Sequence, residues 1–325
     1  MLRFRFYFFF ILILFTRIFD TCSQEKYIYT NSYLDPFIIN PACTGLEYYA
    51  VAHLSYEKQW LNFPDSPSTY KLTWNSKLGN FNFYDSKGMV NKGPLKLKER
   101  VGIGAGIYKD NNGLLSTTGG LLSYAYHIPF KDKNNLSFGM SLLLNNYSLR
   151  SSLLDPDQSN DSYLFSGNDN VFNINFATGI FYREKHYFAG ISMTNILPDI
   201  SGISETKKTE PGYFLITGYQ FGKNRNQFYY EPSVELKYIS SEDIFVDLHA
   251  KVYYKQLNWG ALSISSSKRV NIQFALNIYK RIYFAYSYGF TFSQIESLNG
   301  DLHQISIGIN LGLINVDGIR KTSSQ

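Results

Sequence analysis

The most constraining feature of this sequence is a two-residue alternation of large apolar residues with small or polar ones. VGIGAGIY (101–108), LSFGMSLLLNNY (136–147) and NIQFALNIY (271–279) each place apolar side chains on one face and Gly, Ser, Asn or Gln on the other. Successive side chains point to opposite faces of a β-strand, so this period predicts strands with one apolar face. From about residue 50 onward no segment has a convincing helical period, and we expect an all-β fold.

The length of these segments indicates which solvent meets the apolar face. Many of them span about ten residues or more, whereas strands of soluble proteins typically have about five or six. A tilted strand needs about 9–11 residues to cross a bilayer. The sequence therefore predicts a transmembrane antiparallel up-and-down β-barrel of about 14 strands. The predicted segments are 50–58, 68–78, 101–109, 117–128, 135–148, 171–183, 186–194, 212–222, 226–238, 244–254, 257–265, 270–279, 282–292 and 302–312.

The lengths of the connections support a barrel and predict its orientation. Counted from a periplasmic N-terminus, every second connection of an outer-membrane barrel is a short periplasmic turn. Short connections of this kind occur at 131–135, 184–185, 223–226, 255–256 and 280–281, and long alternate ones at 149–170, 195–211 and 293–301. The connection at 79–100 breaks the rule, because it is long and contains the basic run KGPLKLKER. It predicts either an inserted periplasmic element or a different register there.

The first residues have the pattern of a signal peptide. Arg3 and Arg5 precede the apolar run FYFFFILILF, which is too short to span a bilayer. Thr21 and Ser23 are small residues with the spacing of a cleavage site, so we expect the mature chain to begin at Gln24. Lipidation at Cys22 is the alternative, but the residues before Cys22 (Phe19, Asp20 and Thr21) do not match a lipobox.

These features divide the chain into four parts. We expect a signal peptide at 1–23, an N-terminal periplasmic segment at 24–49, an outer-membrane β-barrel at 50–312 and a C-terminal tail at 313–325. After the signal peptide no stretch approaches the ~20 consecutive apolar residues of a transmembrane helix. An integral membrane protein of this sequence must therefore be a barrel that contacts outer-membrane lipid.

The sequence contains no motif that indicates catalysis, a cofactor or a metal. The five His residues are dispersed, and GIGAG (102–106) lacks the G-x-G-x-x-G spacing of a phosphate-binding loop. The acidic run DPDQSND (155–161) lacks the Gly and Glu of a calcium loop. The net charge of +5 is modest, and several basic residues lie in isolated turns and do not form one patch, which does not favour nucleic acid as a partner. We therefore expect a protein that is not an enzyme and has no cofactor, metal site or nucleic-acid partner.

Several short motifs, in a shared order, carry a family resemblance. The first, YLDPFIINPACTG (33–45), is similar to an opening N-P-x-x-I-N-P-A-x-x-G, with Asp35 where an Asn usually falls. The others are YEKQW (56–60), FPDSPSTYKLTW (63–74), GIGAGIYKDNNG (102–113), SYAYHI (123–128), NFATGIFYREKHYFAGISMTNILP (175–198), EPSVELKY (231–238) and AYSYGF (285–290). Together these motifs resemble the PorP/SprF family of type IX secretion proteins over nearly the whole mature chain.

The resemblance implies a function in protein secretion. It implies an outer-membrane component of type IX secretion that supports export or surface anchoring of a cognate secreted protein. It also implies contact with periplasmic secretion components. From the alternation alone, a passive outer-membrane porin or solute channel is the alternative, and a secreted soluble β-protein is a third possibility.

Two groups of residues are candidates for contact with partners. The first group falls within the family motifs and outside the regular alternation: Tyr33, Pro36, Asn40, Pro41, Gly45, Gln59 and Trp60. For Trp60 the alternative is a place beside Phe63 in an aromatic girdle. The second group comes from the predicted periplasmic turns: Lys131, Lys133, Lys185, Lys223, Arg225, Lys280 and Arg281. A ring of positive charge would steer an acidic periplasmic partner, whereas the alternative is that these are ordinary solvated turn residues.

Overall fold

The structure, a computed structural model, describes thirteen stretches of the chain. They are 33–47, 50–61, 63, 65–78, 100–130, 134–150, 170–197, 211–222, 228–239, 243–254, 258–279, 281–292 and 301–311. The predicted signal peptide, the connection at 79–99 and the predicted tail lie outside the described residues. Within the described stretches, no helix has the length and apolar character needed to span a membrane.

Among the described residues, fourteen antiparallel strands form one closed barrel. Each strand pairs with its neighbours in sequence, and β1 pairs with β14. The predicted fold class is confirmed, and each predicted segment coincides with a strand to within three residues at either end. The strands are β1 Ala50–Gln59, β2 Ser68–Lys77, β3 Val101–Asn112, β4 Leu115–Pro129, β5 Asn135–Leu149, β6 Asn170–Arg183, β7 Tyr187–Thr194, β8 Gly212–Tyr219, β9 Phe228–Ile239, β10 Asp243–Tyr254, β11 Asn258–Ser265, β12 Arg269–Tyr279, β13 Ile282–Thr291 and β14 Leu302–Leu311.

The pairing of the first and last strands extends along the whole of β1. Its register runs from Ala50 opposite Leu311 to Gln59 opposite Leu302. This pairing leaves the sheet without a free edge, so the backbone N–H and C=O groups of both strands find partners within the sheet. Such closure is what allows a β-sheet to cross hydrocarbon.

The two faces of the sheet meet different surroundings, as the alternation predicts. On β5, Met140 is 59% exposed on the outside, whereas its neighbour Ser141 is 3% exposed and points into the lumen. On β12, Phe274 is 37% exposed and Gln273 is 3% exposed. The outer face of the barrel therefore presents large apolar side chains to lipid, and the inner face presents small and polar ones to the lumen.

The described turns allow part of the predicted basic rim to be located. Because the strands alternate in direction, the turns that follow even-numbered strands lie at the rim where β1 begins. Lys185, between β6 and β7, and Arg281, between β12 and β13, are both exposed at that rim. The other predicted rim residues lie outside the described part of the chain: Lys131, Lys133, Lys223, Arg225 and Lys280.

Arginine substitutions on β12 test the assignment of the two faces. We expect Phe274→Arg to reduce assembly far more than Gln273→Arg, because a charge near the lipid midplane costs about 2–4 kcal/mol. The measurement is the fraction of chain whose gel migration in detergent differs between boiled and unboiled samples. Equal losses for the two variants would show that the faces are assigned wrongly.

Candidate functional site

Residues 33–46 lie inside the barrel, and we call them the plug. Two short 3-10 helices, Pro36–Ile38 and Pro41–Cys43, give the plug its shape. Proline suits the first position of a helix, because its φ is already near the helical value and its missing N–H would have no partner there. The Asn40 side chain accepts a hydrogen bond from the Ala42 N–H at 3.0 Å and caps the second helix. The described part of the predicted N-terminal segment thus folds into the lumen.

Asp35 attaches the start of the plug to β1 and β2. Its carboxylate lies 2.7 Å from His53 Nδ1, accepts a hydrogen bond from Thr73 Oγ1 at 2.7 Å, and is 3.2 Å from Lys71 Nζ. Burial by itself would raise the pKa of Asp35, but the attraction to His53 and Lys71 outweighs it and holds the pKa well below its usual range. His53 also contacts the Tyr283 hydroxyl on β13. This network therefore joins the plug to three strands around the closure of the barrel.

Asn40 attaches the plug to another part of the barrel wall. Its Nδ2 donates to the carbonyl oxygens of Ile180 at 3.2 Å and Ile191 at 3.4 Å. These two residues are directly paired across β6 and β7. A Cβ at the neighbouring Gly190 would lie 2.9 Å from Asn40 Nδ2, and one at Gly179 would collide with the Asn40 side chain. The two glycines therefore leave the space that Asn40 occupies.

Glycines on the lumenal face of β3 and β5 let the backbone of the plug touch the wall. A Cβ at Gly139 would collide with the backbone of Pro41 and Ala42, and one at Gly102 would collide with the Thr44 carbonyl. The glycines of the GIGAG run thus have a structural role, because Cβ atoms at Gly102 and Gly104 would meet Thr44 and Phe37 of the plug. A side chain at these positions would push the plug out of place.

Apolar side chains form a small core where the plug meets the wall. Phe37 is 1% exposed, and it clusters with Ala42 and Cys43 of the plug and with Leu121 and Phe181 of the barrel. Complete burial of a Phe side chain contributes about 1.5–3 kcal/mol, so apolar packing adds to the polar contacts. Burial also raises the pKa of the Cys43 thiol to about 12, which disfavours the reactive thiolate.

The plug ends in a tight turn beside β3 and β4. Thr44 Oγ1 lies 2.6 Å from Ser123 Oγ, and the Thr44 carbonyl lies 2.9 Å from His127 Nε2. Gly45 has a φ of +64°, and a Cβ there would be 2.7 Å from the Gly102 Cα. Glycine adopts this left-handed conformation without steric cost, which explains why it ends the plug motif.

The opposite wall of the lumen carries a group of buried charged residues on β9 and β10. Lys237 Nζ lies 2.7 Å from Asp247 Oδ2 and 3.9 Å from Glu235 Oε2. A cavity of about 180 Å³ separates part of this wall from the plug. The buried charged side chains of the two strands are Glu235, Lys237, Asp247, His249 and Lys251.

Five of the residues predicted to contact partners belong to the plug, and their contacts in the structure are within the chain. Asn40, Pro41 and Gly45 are buried against the wall, whereas Pro36 is exposed towards the cavities. The Tyr33 ring packs edge-on against the ring of His249, with centroids 5.0 Å apart. A role of these five residues in binding another protein stays a prediction.

Gln59 and Trp60 lie at the other rim, where β1 ends. The Gln59 N–H donates to the Pro67 carbonyl at 3.0 Å, and the Trp60 N–H donates to the Asp301 carbonyl at 3.0 Å. The plug bonds to β1 at His53, in the middle of the strand, and no hydrogen bond among the described residues links the plug to Gln59 or Trp60, so the structure does not join them into one site. Trp60 is half-buried and Phe63 is exposed, and the choice between partner contact and an aromatic girdle stays open.

Of the residues that hold the plug, Asn40 was a predicted contact residue, whereas Asp35, His53 and Lys71 were missed. His53 and Lys71 fall on the polar faces of their strands, and Asp35 was noted only as a departure from the family motif. The charged wall was also missed, although EPSVELKY (231–238) places Glu235 and Lys237 two residues apart on the polar face. That spacing was a sequence feature that indicated charged side chains on the lumenal face of β9.

A closed barrel with an apolar outer face and a polar, partly filled lumen has the architecture of an outer-membrane protein. The family model described as "Type IX secretion system membrane protein PorP/SprF" matches residues 21–309. The chain therefore belongs to the PorP/SprF family, as its motifs suggested. No relative among curated proteins matches the sequence.

Solved outer-membrane proteins of other families have similar barrels at low sequence identity. The toluene transporter TbuX of Ralstonia pickettii is 11% identical, with a TM-score of 0.48 over 84% of this chain and 92% of that one. Omp33 of Acinetobacter baumannii is 9% identical, with a TM-score of 0.49 over 82% and 100%. A mutant porin of Rhodopseudomonas blastica is 10% identical, with a TM-score of 0.35 over 81% and 99%. We draw no functional conclusion from these similarities.

Replacing Asp35 tests whether its buried ion pair holds the plug. We expect Asp35→Asn to lower the free energy of unfolding by about 3–5 kcal/mol, because Lys71 would lose its partner inside the lumen. The control is Asp65→Asn, which removes the exposed pair with Arg150 and should cost less than about 1 kcal/mol. Urea unfolding in detergent micelles measures the free energy of unfolding of both variants. If Asp35→Asn lowers it by as little as Asp65→Asn does, the proposed role of Asp35 is contradicted.

A second pair of variants tests the contact between Gly139 and the plug. We expect Gly139→Ala to cost about 1–3 kcal/mol through overpacking and to expose the plug to protease. Gly120→Ala is the control, because the nearest atom to a Cβ there is 3.5 Å away. Limited proteolysis of the folded barrel, followed by N-terminal sequencing of the fragments, gives the result. An intact plug in both variants would show that the plug does not lie against Gly139.

Proposed function

We propose that this chain is a closed outer-membrane scaffold for type IX secretion, which supports export or surface anchoring of a cognate secreted protein. We further propose that it contacts periplasmic secretion components. The observation that carries the proposal is the plug, which bonds to several strands of the wall through Asp35 and Asn40. A lumen filled in this way favours a scaffold over a channel, and membership of the PorP/SprF family supports a role in secretion.

A passive porin or solute channel is the second candidate. Large barrels of other families enclose water-filled channels, and the alternation of this sequence would permit one. A channel needs a continuous path for water through the lumen. The buried contacts of Phe37 and Ala42 close part of that path, which disfavours this function for the chain with its plug in place.

Planar-bilayer recordings separate the two candidates. We expect no steady conductance from the purified wild-type barrel, and steady conductance when residues 36–43 are replaced by a Gly–Ser linker of equal length. Migration in unboiled gels controls for assembly of both proteins. Steady conductance of the wild type at the level of the linker variant would favour the porin.

In cells, loss of the chain should lower the surface level of the cognate secreted protein, and re-expression should restore it.

The exposed basic residues at the rim where β1 begins are the proposed contact for an acidic periplasmic component. We expect the double variant Lys185→Glu, Arg281→Glu to weaken co-purification of periplasmic secretion components and to reduce its dependence on salt, because steering by charge is screened by ions. Lys268→Glu, in the β11–β12 turn at the opposite rim, is the control. Unchanged co-purification by the double variant at low salt would mean that the contact lies elsewhere.

A further inference from the structure

The charged group on β9 and β10 has the arrangement of a cation site. Glu235 and Asp247 are directly opposite each other in the register of the two strands, and His249 follows two residues along β10. One potential ligand atom from each of the three residues lies within 4.8 Å of the others. Two carboxylates that face each other repel unless positive charge neutralises them. Lys237 supplies one such charge, through its contact with Asp247 Oδ2 at 2.7 Å.

Atoms in this group lack hydrogen-bond partners among the described residues. They are Glu235 Oε2, Asp247 Oδ1 and both ring nitrogens of His249. All three side chains are more than nine-tenths buried, and leaving a buried polar atom without a partner is destabilising. His249 Nε2 lies 3.4 Å from Glu235 Oε2, so these atoms face the same space. A shared ligand would satisfy them together.

We propose that Glu235, Asp247 and His249 bind a divalent transition-metal ion, for which zinc is the best-suited probe. Zinc accepts imidazole nitrogen and carboxylate oxygen at about 2.0–2.2 Å, which places tetrahedral ligands ~3.3 Å apart. Because the three atoms lie within 4.8 Å of one another, side-chain shifts of about 1 Å bring them to that spacing. Lys237 retains its contact with the other oxygen of Asp247. Glu235 and His249 also line the cavity beside the plug, which leaves the fourth position to water.

The plug supports this site from the lumenal side. The edge-on contact of Tyr33 restricts rotation of the His249 ring, and Ser263 Oγ donates a hydrogen bond to the Tyr33 hydroxyl at 3.5 Å. In most metal sites a hydrogen bond from the second ring nitrogen orients the histidine; here the ring contact with Tyr33 limits rotation instead. The site does not depend on the proposed role in export.

A charge network without metal is the competing account. In that account a protonated His249 and Lys237 together balance the charges of Glu235 and Asp247. The two accounts differ in their response to zinc, and in what happens when the positive charge of Lys237 is removed.

Zinc binding to the purified, tag-free barrel after EDTA treatment distinguishes the accounts. We expect one zinc ion per chain by elemental analysis and a higher unfolding temperature with zinc, because a ligand of the folded state stabilises it. His249→Asn and Glu235→Gln should each lower the affinity for zinc by at least about tenfold. His186→Asn is the matched control, because His186 lies near the Gln220 carbonyl outside this group.

Lys237→Met keeps the test decisive where a ligand variant fails to assemble. If zinc binds here, removing the competing positive charge raises the affinity for zinc, and zinc restores the stability of this variant. In a network without metal, Lys237→Met loses stability and zinc restores none of it, which overturns the proposal. The proposal is also overturned if the wild type binds no zinc at millimolar concentration, or if His249→Asn binds zinc as well as the wild type does.

Discussion

A sheet that crosses hydrocarbon has to close on itself, because a free edge would leave backbone groups without hydrogen-bond partners. The pairing of β1 with β14 meets this requirement, and the other features of the molecule follow from it. Barrels of about eight strands fill their interior with their own side chains, whereas larger ones enclose a cavity or a channel. A barrel of fourteen strands therefore has space to fill, and here residues 33–46 occupy part of it.

The plug fits because the wall is shaped to receive it. Glycines on the lumenal faces of β3 and β5 leave room for its backbone, and those on β6 and β7 leave room for the Asn40 side chain. Asp35 and Asn40 then bond to different parts of the wall, near β1–β2 and β6–β7. Breaking the Asp35 network would leave buried charges unpaired, which is costly. The contacts of the plug therefore belong to the folded barrel and are not incidental to it.

The strands and their faces could be predicted from sequence because both depend on local alternation, which a membrane enforces in every strand. The position of the plug could not. YLDPFIINPACTG has no regular period, and Asn40 bonds a residue 140 positions away. Glycines on the polar faces of the strands indicate close packing in the lumen, but the sequence does not show that the plug is what packs against them. Likewise, the spacing of Glu235 and Lys237 indicated lumenal side chains, but their approach to Asp247 and His249 depends on cross-strand register.

The plug occupies the lumen of the folded protein, and the reactivity of Cys43 reports on this directly. In a chain that starts at Gln24 it is the only cysteine, and it is buried. The measurement is its rate of reaction with a bulky charged maleimide. We expect the rate in the folded barrel to be at least about a hundredfold lower than in the urea-unfolded chain, because burial blocks access and raises the pKa of the thiol. Equal rates, in a barrel whose unboiled migration shows that it is folded, would contradict the account.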